Sequence, residues 1–254
     1  MNAGLTVLAA AVGAGVGVCS GWLAVRLEET EKLEEEERED HEAYERECAE
    51  RAETARQEGR PTPDELPWHP EAYGWTWLER WASPVLTATG FACFAAHEGF
   101  RDGLAVHLLW VAVLTHVALF DVKHRLILDR ITFPSILVAL ALAPVTPGVG
   151  YPNALFGALA VGAFFAIQSF VLGGSVLGLG DAKLGVIVGA TTGLGTDLDH
   201  LGAVYAVITA VITAGAVALV LLALRIRRLR DPIPYGPFLC VGTALILWHG
   251  PAGP

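Results

Sequence analysis

Charged residues are scarce in this chain outside one block. Only 17% of the 254 residues are charged, against roughly a quarter in an average soluble domain, and 53% are hydrophobic. Most of the acidic residues fall in the segment 28–58, so the net charge of −10 describes that segment and not the whole chain. The remainder has the composition of a membrane protein.

Several signatures of soluble function classes are also missing. No basic patch and no interleaving of aromatic with basic residues suggests a nucleic-acid partner. No Cys-x-x-Cys pair occurs and the histidines lack metal-ligand spacing, so we expect no metal site and no disulfide framework. The four cysteines are Cys19, Cys48, Cys93 and Cys240.

Long apolar stretches, in contrast, are plentiful. A membrane-crossing helix needs about 20 mainly apolar residues, fewer where it is buried among other helices. We predict an all-α polytopic integral membrane protein of about eight transmembrane helices. These helices are expected at about 3–25, 82–97, 104–121, 132–147, 154–173, 184–195, 201–224 and 236–250.

The distribution of lysine and arginine predicts the orientation of these spans. With eight spans and an external N-terminus, 16 of the 17 basic residues face the cytoplasm, and Arg101 is the exception. This bias matches the excess of positive charge in cytoplasmic loops. We therefore expect a multi-pass protein of the bacterial inner membrane with both termini outside.

Three regions follow from this topology. Residues 1–27 form the first span, and residues 81–254 form a seven-span core. Between them, residues 28–80 are expected to be a cytoplasmic insertion, helical and solvated on all sides over 28–58. Four prolines in Gly59–Pro70 end that helix, and the tryptophans that follow mark the membrane interface.

Two aspartates carry the predicted chemistry. Asp121 ends the third span and Asp181 precedes the sixth, so both lie at the cytoplasmic edge. Two neighbouring carboxylates cannot easily both ionise, and such a pair holds one proton between them. The ionised member accepts a proton from water and the protonated member donates to a carbonyl, as in aspartic proteases. The simpler alternative is that each aspartate caps a helix or lies at the membrane interface.

The motifs around both aspartates resemble those of one family. The sequence Gly-Leu-Gly-Asp-Ala-Lys-Leu at 178–184 is similar to the second aspartate motif of prepilin peptidases, which are relatives of presenilin-type intramembrane proteases. The stretch 121–134 resembles the first motif, with Leu128 where the family usually has proline. Residues 233–238 resemble a later family stretch. The resemblance covers about Trp110 to Leu239.

The resemblance implies a membrane aspartic endopeptidase that cleaves the leader of type IV pilin or pseudopilin precursors at the cytoplasmic membrane face. Asp121 and Asp181 match the catalytic pair. Gly178 and Gly180 match the flanking glycines, which we expect to permit positive φ and a close substrate approach. Arg125 and Lys183 match basic positions, which either influence an aspartate or the substrate or simply anchor the cytoplasmic face.

The N-terminal half departs from the family. Bifunctional members also methylate the new N-terminus with S-adenosylmethionine, and often carry two Cys-x-x-Cys pairs in the first cytoplasmic loop. This loop has Cys48 alone, so S-adenosylmethionine is disfavoured and proteolysis is expected to require no cofactor. The expected partners are precursor proteins and lipid. The sequence leaves the particular substrate and the oligomeric state open.

Two other classes of function remain possible from the residues. An ion- or proton-coupled transporter also uses intramembrane carboxylates and interrupted spans, but it predicts acids near the midplane and inverted repeats. An inactive assembly factor for pilus or secretion machinery is the other alternative. Cleavage assays distinguish both from the peptidase.

Overall fold

The computed structural model of the protein describes residues 3–31, 39, 41–46, 48–49, 52–53, 73–171, 178–196, 200–224 and 234–250. Every regular element in these ranges is helical. The long elements are α1 (Ala3–Glu31), α2 (Ser83–Glu98), α3 (Leu104–His124), α4 (Asp129–Leu142), α5 (Gly150–Val171), α6 (Leu179–Thr192), α7 (Gly202–Ala223) and α8 (Gly236–His249). A short π-helical turn, Leu78–Ala82, leads into α2, and a 3₁₀ turn, Ala143–Val145, follows α4.

These eight helices occupy the positions of the eight predicted spans, with shifted ends. The helix α6 begins at Leu179, five residues before the predicted start, because Gly178 is its N-cap and Asp181 lies in its first turn. The helix α1 continues past the apolar run to Glu31. Four helices, α1, α3, α5 and α7, are long and apolar enough to cross a membrane.

Small residues let the helices pack closely. A Cβ added to Gly17 of α1 would lie 2.5 Å from the Cα of Pro84 in α2, and the Ser83 hydroxyl donates to the Gly17 carbonyl at 2.8 Å. Gly157 of α5 and Gly189 of α6 meet backbone to backbone in the same way. Such contacts are typical of helix pairs in membranes, where close van der Waals packing replaces the hydrophobic effect.

The helix α3 lies in the middle of the bundle. It contacts α1, α2 and α8, and α8 in turn contacts α6. Trp110, Leu114 and Phe120 of α3 are all nearly inaccessible. By contrast, α7 exposes large apolar side chains such as Ile212 and Leu219, which suits contact with lipid. The central place of α3 fixes the end of the helix that carries Asp121.

The predicted cytoplasmic insertion is described only in part. Residues 41–46 are helical, while the linker Gly59–Pro70 lies outside the described residues. The expectation that the acidic segment is solvated on all sides is wrong at its start, because Glu28 is only 5% exposed. Glu28 is buried because it forms ion pairs with the end of α3.

Candidate active site

Asp121 lies in the last turn of α3 and is 4% exposed. The helix ends four residues later at Arg125, which adopts a left-handed conformation with φ of 52° and donates its N–H to the Asp121 carbonyl at 2.8 Å. Arg125 is the one non-glycine residue with positive φ in the described part of the chain. This sharp ending turns the chain away into the segment 126–128, directly beside the Asp121 carboxyl group.

Asp181 lies in the first turn of α6 and is partly exposed. Its Oδ2 accepts the N–H of Gly178 at 3.1 Å, and its own N–H donates to the Gly178 carbonyl at 3.1 Å. An acidic side chain at this position also interacts favourably with the positive end of the helix dipole. The capping role that the sequence allows for Asp181 is therefore present in the structure.

The structure brings the two aspartates into one neighbourhood. The charge of Asp181 is close enough to act on the Asp121 carboxyl group. Ile127, six residues after Asp121, packs against the Asp181 motif: a Cβ added to Gly180 would lie 3.0 Å from the Ile127 Cβ. The two motifs, whose aspartates are 60 residues apart in sequence, therefore contact each other through Ile127 and Gly180.

A third segment, the start of α8, closes around Asp121. A Cβ added to Gly236 would lie 2.5 Å from Oδ2 of Asp121 and 3.4 Å from Cδ1 of Ile127. Only a residue without a side chain fits here, because the carboxylate occupies the space. The preceding Tyr235 lies near Asp181, whose charge acts on the phenol, and its ring packs on Phe165 of α5. Sequence analysis had included Gly236 in a family stretch without assigning it a role.

Oδ2 of Asp121 is buried and has no hydrogen-bond partner among the described residues, a property that it shares with ring nitrogens of His107, Trp110 and His116 on the same helix. Buried polar atoms almost always have a partner, so one that lacks it calls for an explanation, and a catalytic role is one such explanation. The carboxylate is thus held in place by packing and by its backbone more than by hydrogen bonds at this oxygen.

The expected conformation of the flanking glycines is wrong. Gly178 has φ of −80° and ψ of 160°, and Gly180 is helical, so neither uses the positive φ that glycine permits. Gly180 instead approaches Ile127 so closely that a side chain there would require Ile127 to shift by a few tenths of an ångström. A Cβ on Gly178 would meet nothing closer than 3.8 Å. The structure therefore gives a packing reason for Gly180 and none for Gly178.

The two basic residues have different surroundings. Arg125 is near enough for its charge to act on Asp121. Lys183 points to the start of α4, where its Nζ lies 2.5 Å from Oδ1 of Asp129 and 5.3 Å from the centre of the Phe133 ring. Lys183 thus links the start of α4 to the start of α6, the two helix starts that lie within the aspartate motifs.

Beside Asp121 is a buried group that sequence analysis missed. We call Glu28, Glu79, Lys123 and His124 the ion cluster. The Lys123 ammonium donates to Glu28 Oε1 at 2.6 Å, to Glu79 Oε1 at 2.8 Å and to the Gly74 carbonyl at 3.0 Å. His124 Nε2 lies 2.9 Å from Glu28 Oε1. All four side chains are at most 5% exposed.

The remaining carboxylate oxygens of the ion cluster also have partners. Glu28 Oε2 accepts the N–H of Gly74 at 2.7 Å. Glu79 Oε2 accepts the N–H of Thr76 at 2.8 Å and also its hydroxyl. Burial opposes ionisation of Glu79, but its hydrogen bonds with Lys123 and Thr76 outweigh burial and hold the pKa of the carboxyl group below its usual value of 4.5. No sequence motif marks this group, because Glu28, Glu79 and Lys123 are far apart in the chain.

Within the described ranges, no group of three or more His, Cys, Asp or Glu side chains is arranged to hold a metal ion. The four cysteines are free thiols, and Cys240 is buried in α8. The chemistry that this site offers is that of two carboxyl groups, one buried with an unpartnered oxygen and one partly exposed at a helix start.

Fold and site together define a helical membrane protein with a pair of neighbouring aspartates at helix ends. Residues 108–226 match the model of the type IV leader peptidase family, Peptidase_A24. This part of the chain is similar to that family, and the resemblance inferred from the two aspartate motifs is confirmed.

Curated relatives give the same result. The chain is 28% identical over 159 residues to the prepilin leader peptidase/N-methyltransferase of Pseudomonas aeruginosa, covering 61% of this chain and 53% of the relative. It is 29% identical over 166 residues to the protein of the same name from Bacillus subtilis, covering 63% of each. The chain therefore spans between about half and just under two thirds of these relatives. No solved structure matches it.

Proposed function

We propose that this protein is a membrane aspartic endopeptidase that removes the leader of type IV pilin-like or pseudopilin precursors. The observation that carries the proposal is the convergence of Asp121 and Asp181, from separate motifs, within a segment that matches the leader peptidase family. The relatives are named prepilin leader peptidases, and this name supplies the substrate class.

The proposed reaction uses the two carboxyl groups as a unit. One aspartate is ionised and removes a proton from water, whose oxygen then bonds to the scissile carbonyl carbon. The other aspartate is protonated and donates to the carbonyl oxygen. As the tetrahedral intermediate collapses, the C–N bond breaks and the leaving amine takes a proton from the pair. No covalent bond to the protein forms.

The structure supports different starting conditions for the two groups. Asp121 is 4% exposed and has Oδ2 unpartnered among the described residues, although the Gly236 backbone also donates to this carboxyl group. Asp181 is partly exposed and accepts a hydrogen bond at its helix start. Desolvation disfavours a charge and hydrogen-bond donors favour one. We infer that the shared proton resides mainly on Asp121 and that Asp181 is the member that activates water.

The proposed topology follows from the eight helices and the distribution of basic residues. All eight helices are proposed to cross the membrane, with α1, α3, α5 and α7 long enough to do so at full length and the shorter α2, α4, α6 and α8 packed among them. Asp121 and Asp181 are then at the cytoplasmic face, where a precursor leader lies before export. The acidic segment 28–58 is proposed to lie on the same side.

The proposal covers leader cleavage, and N-methylation is disfavoured. Cys48 is the only cysteine in the segment between α1 and α2, and the match to the relatives leaves more than a third of each uncovered. The mass of the cleaved product tests this part directly. An unmethylated N-terminus is expected, and a product heavier by one methyl group would contradict it.

Cleavage of candidate precursors in membranes tests the peptidase itself. Wild type is compared with Asp121→Asn and Asp181→Asn, with Asp129→Asn as a control carboxylate outside the pair. General acid–base catalysis contributes typically 10²–10⁴-fold, so each variant of the pair is expected to lose about that factor at normal expression. Near-normal cleavage by either would sink the mechanism. An inactive wild type would favour a transporter or an assembly factor.

A further inference from the structure

The last turn of α3 carries two buried groups with opposite surroundings. Asp121 has an unpartnered oxygen, while Lys123, two residues later, donates three hydrogen bonds. Because the two residues share one turn of backbone, any force that holds Lys123 also holds Asp121. The ion cluster is therefore in a position to set where the Asp121 carboxylate lies.

The partners of Lys123 come from outside the family segment. Glu28 belongs to α1 and Glu79 to the π-helical turn before α2, whereas the family match begins at residue 108. The π-helical turn is itself pressed onto α1, since a Cβ on Gly21 would lie 2.6 Å from the Glu79 carbonyl oxygen. The ion cluster thus connects the N-terminal part of the chain to the end of α3 through buried ion pairs.

Helix ends are the least constrained part of a helix, because their last carbonyls have no intrahelical partners and the turn frays. Asp121 and Lys123 lie in such a turn, and Arg125 ends it in a left-handed conformation. Buried charges oppose fraying here, because opening the turn would leave two carboxylates and an ammonium group desolvated without partners. Their interaction is geometrically fixed, since both glutamates bond on both oxygens.

We propose that Lys123 is a positioning residue for the reaction, and that Glu28 and Glu79 clamp it so that Asp121 stays in register with Gly236 and Asp181. The inference rests on the proposed peptidase function. It also gives the N-terminal part of the chain a role in the reaction. Through Lys123, α1 and the π-helical turn fix the position of Asp121.

The test compares Lys123→Met with Arg130→Met in the full-length protein. Arg130 of α4 pairs with Glu31 of α1 at 2.7 Å, but both side chains are substantially exposed, so it is a matched interhelical ion pair outside the ion cluster. For Lys123→Met we expect a fall in kcat of at least tenfold per folded enzyme with KM changed less than twofold. Arg130→Met should keep both near wild type. Unchanged kcat for Lys123→Met would overturn the proposal.

Two further measurements keep the proposal testable if Lys123→Met fails to fold or if the wild type cleaves no precursor. Glu79→Gln retains the shape and part of the hydrogen bonding, and an intermediate loss of kcat is expected. Hydrogen exchange at the amides of residues 121–125 needs no substrate. It should be at least tenfold faster in either cluster variant than in wild type, with exchange in α5 unchanged. Equal exchange at 121–125 would refute the clamp, whatever becomes of the peptidase.

Discussion

The last turn of α3 carries two buried charged regions, the ion cluster around Lys123 and the carboxyl group of Asp121, and they differ in their hydrogen-bond partners. The ion cluster satisfies both oxygens of Glu28 and Glu79, so its charges are compensated. The Asp121 carboxylate, equally buried, faces Gly236 and feels the charge of Asp181, with no hydrogen-bond partner at Oδ2 in the described ranges. Removing one partner from a buried ion cluster is costly because it leaves a charge unpaired, whereas a buried carboxyl group with few partners can change its protonation. The ion cluster therefore has a structural role, while Asp121 has the proposed catalytic one.

After replacement of an aspartate, the largest loss of cleavage rate is expected when a side chain fills the space beside Asp121. In Gly236→Ala the new methyl group would overlap Oδ2, so the carboxylate must move by about 1 Å. A misplacement of that size can cost about 100-fold in rate. Cleavage kinetics on purified protein are expected to show this loss in kcat.

Gly215→Ala is the matched control for that substitution, because a Cβ at Gly215 of α7 meets nothing within 4 Å. It should cleave at the wild-type rate. If Gly236→Ala were as active as Gly215→Ala, the Asp121 carboxylate would not need the position that the structure gives it, and the contrast with the ion cluster would fail.

A smaller effect is expected when the pH is lowered, and it concerns the stability of the folded protein. The pKa of Glu79 is lowered in the folded protein, so the unfolded state binds more protons as pH falls. The stabilisation from this group is present above about pH 4.5 and is lost as pH falls through the lowered value. Melting temperatures at pH 7 and pH 4 should therefore differ less in Glu79→Gln than in wild type. An identical pH dependence in both proteins would show that the ion cluster does not contribute in this way.

The smallest effect is expected at the pair between Lys183 and Asp129. Their side chains are 32% and 54% exposed, so solvent screens the attraction. Exposed pairs contribute about 0–1 kcal/mol. A double-mutant cycle with Lys183→Met and Asp129→Asn, read as free energies of unfolding, should give a coupling energy within that range. A coupling of about 3 kcal/mol would place this pair in the same class as the ion cluster.

Much of the fold could be predicted from the sequence because long apolar stretches identify membrane helices. All eight predicted spans coincide with helices, although only α1, α3, α5 and α7 reach crossing length. The helix ends were less predictable. The early start of α6 depends on the cap at Gly178, and the extension of α1 depends on Glu28 finding a buried partner.

The candidate site was predictable only where residues form local motifs. Asp121 and Asp181 are marked by their neighbours in sequence, and the family match covers both. Gly236 and the ion cluster owe their places to contacts between distant segments, such as the 95 residues that separate Glu28 from Lys123. Read from sequence alone, Glu28 resembles its acidic neighbours in 29–58, and Lys123 resembles an ordinary cytoplasmic anchor.

The most direct test of the central claim is whether Asp121 and Asp181 act as one unit. Cleavage rates of Asp121→Asn, Asp181→Asn and the double variant are measured on the same precursor by quantitative mass spectrometry. Residues that work together lose their contribution once, so the double variant should be no slower than the slower single variant. Losses that multiply in the double variant, or a single variant that cleaves at the wild-type rate, would contradict a shared catalytic pair.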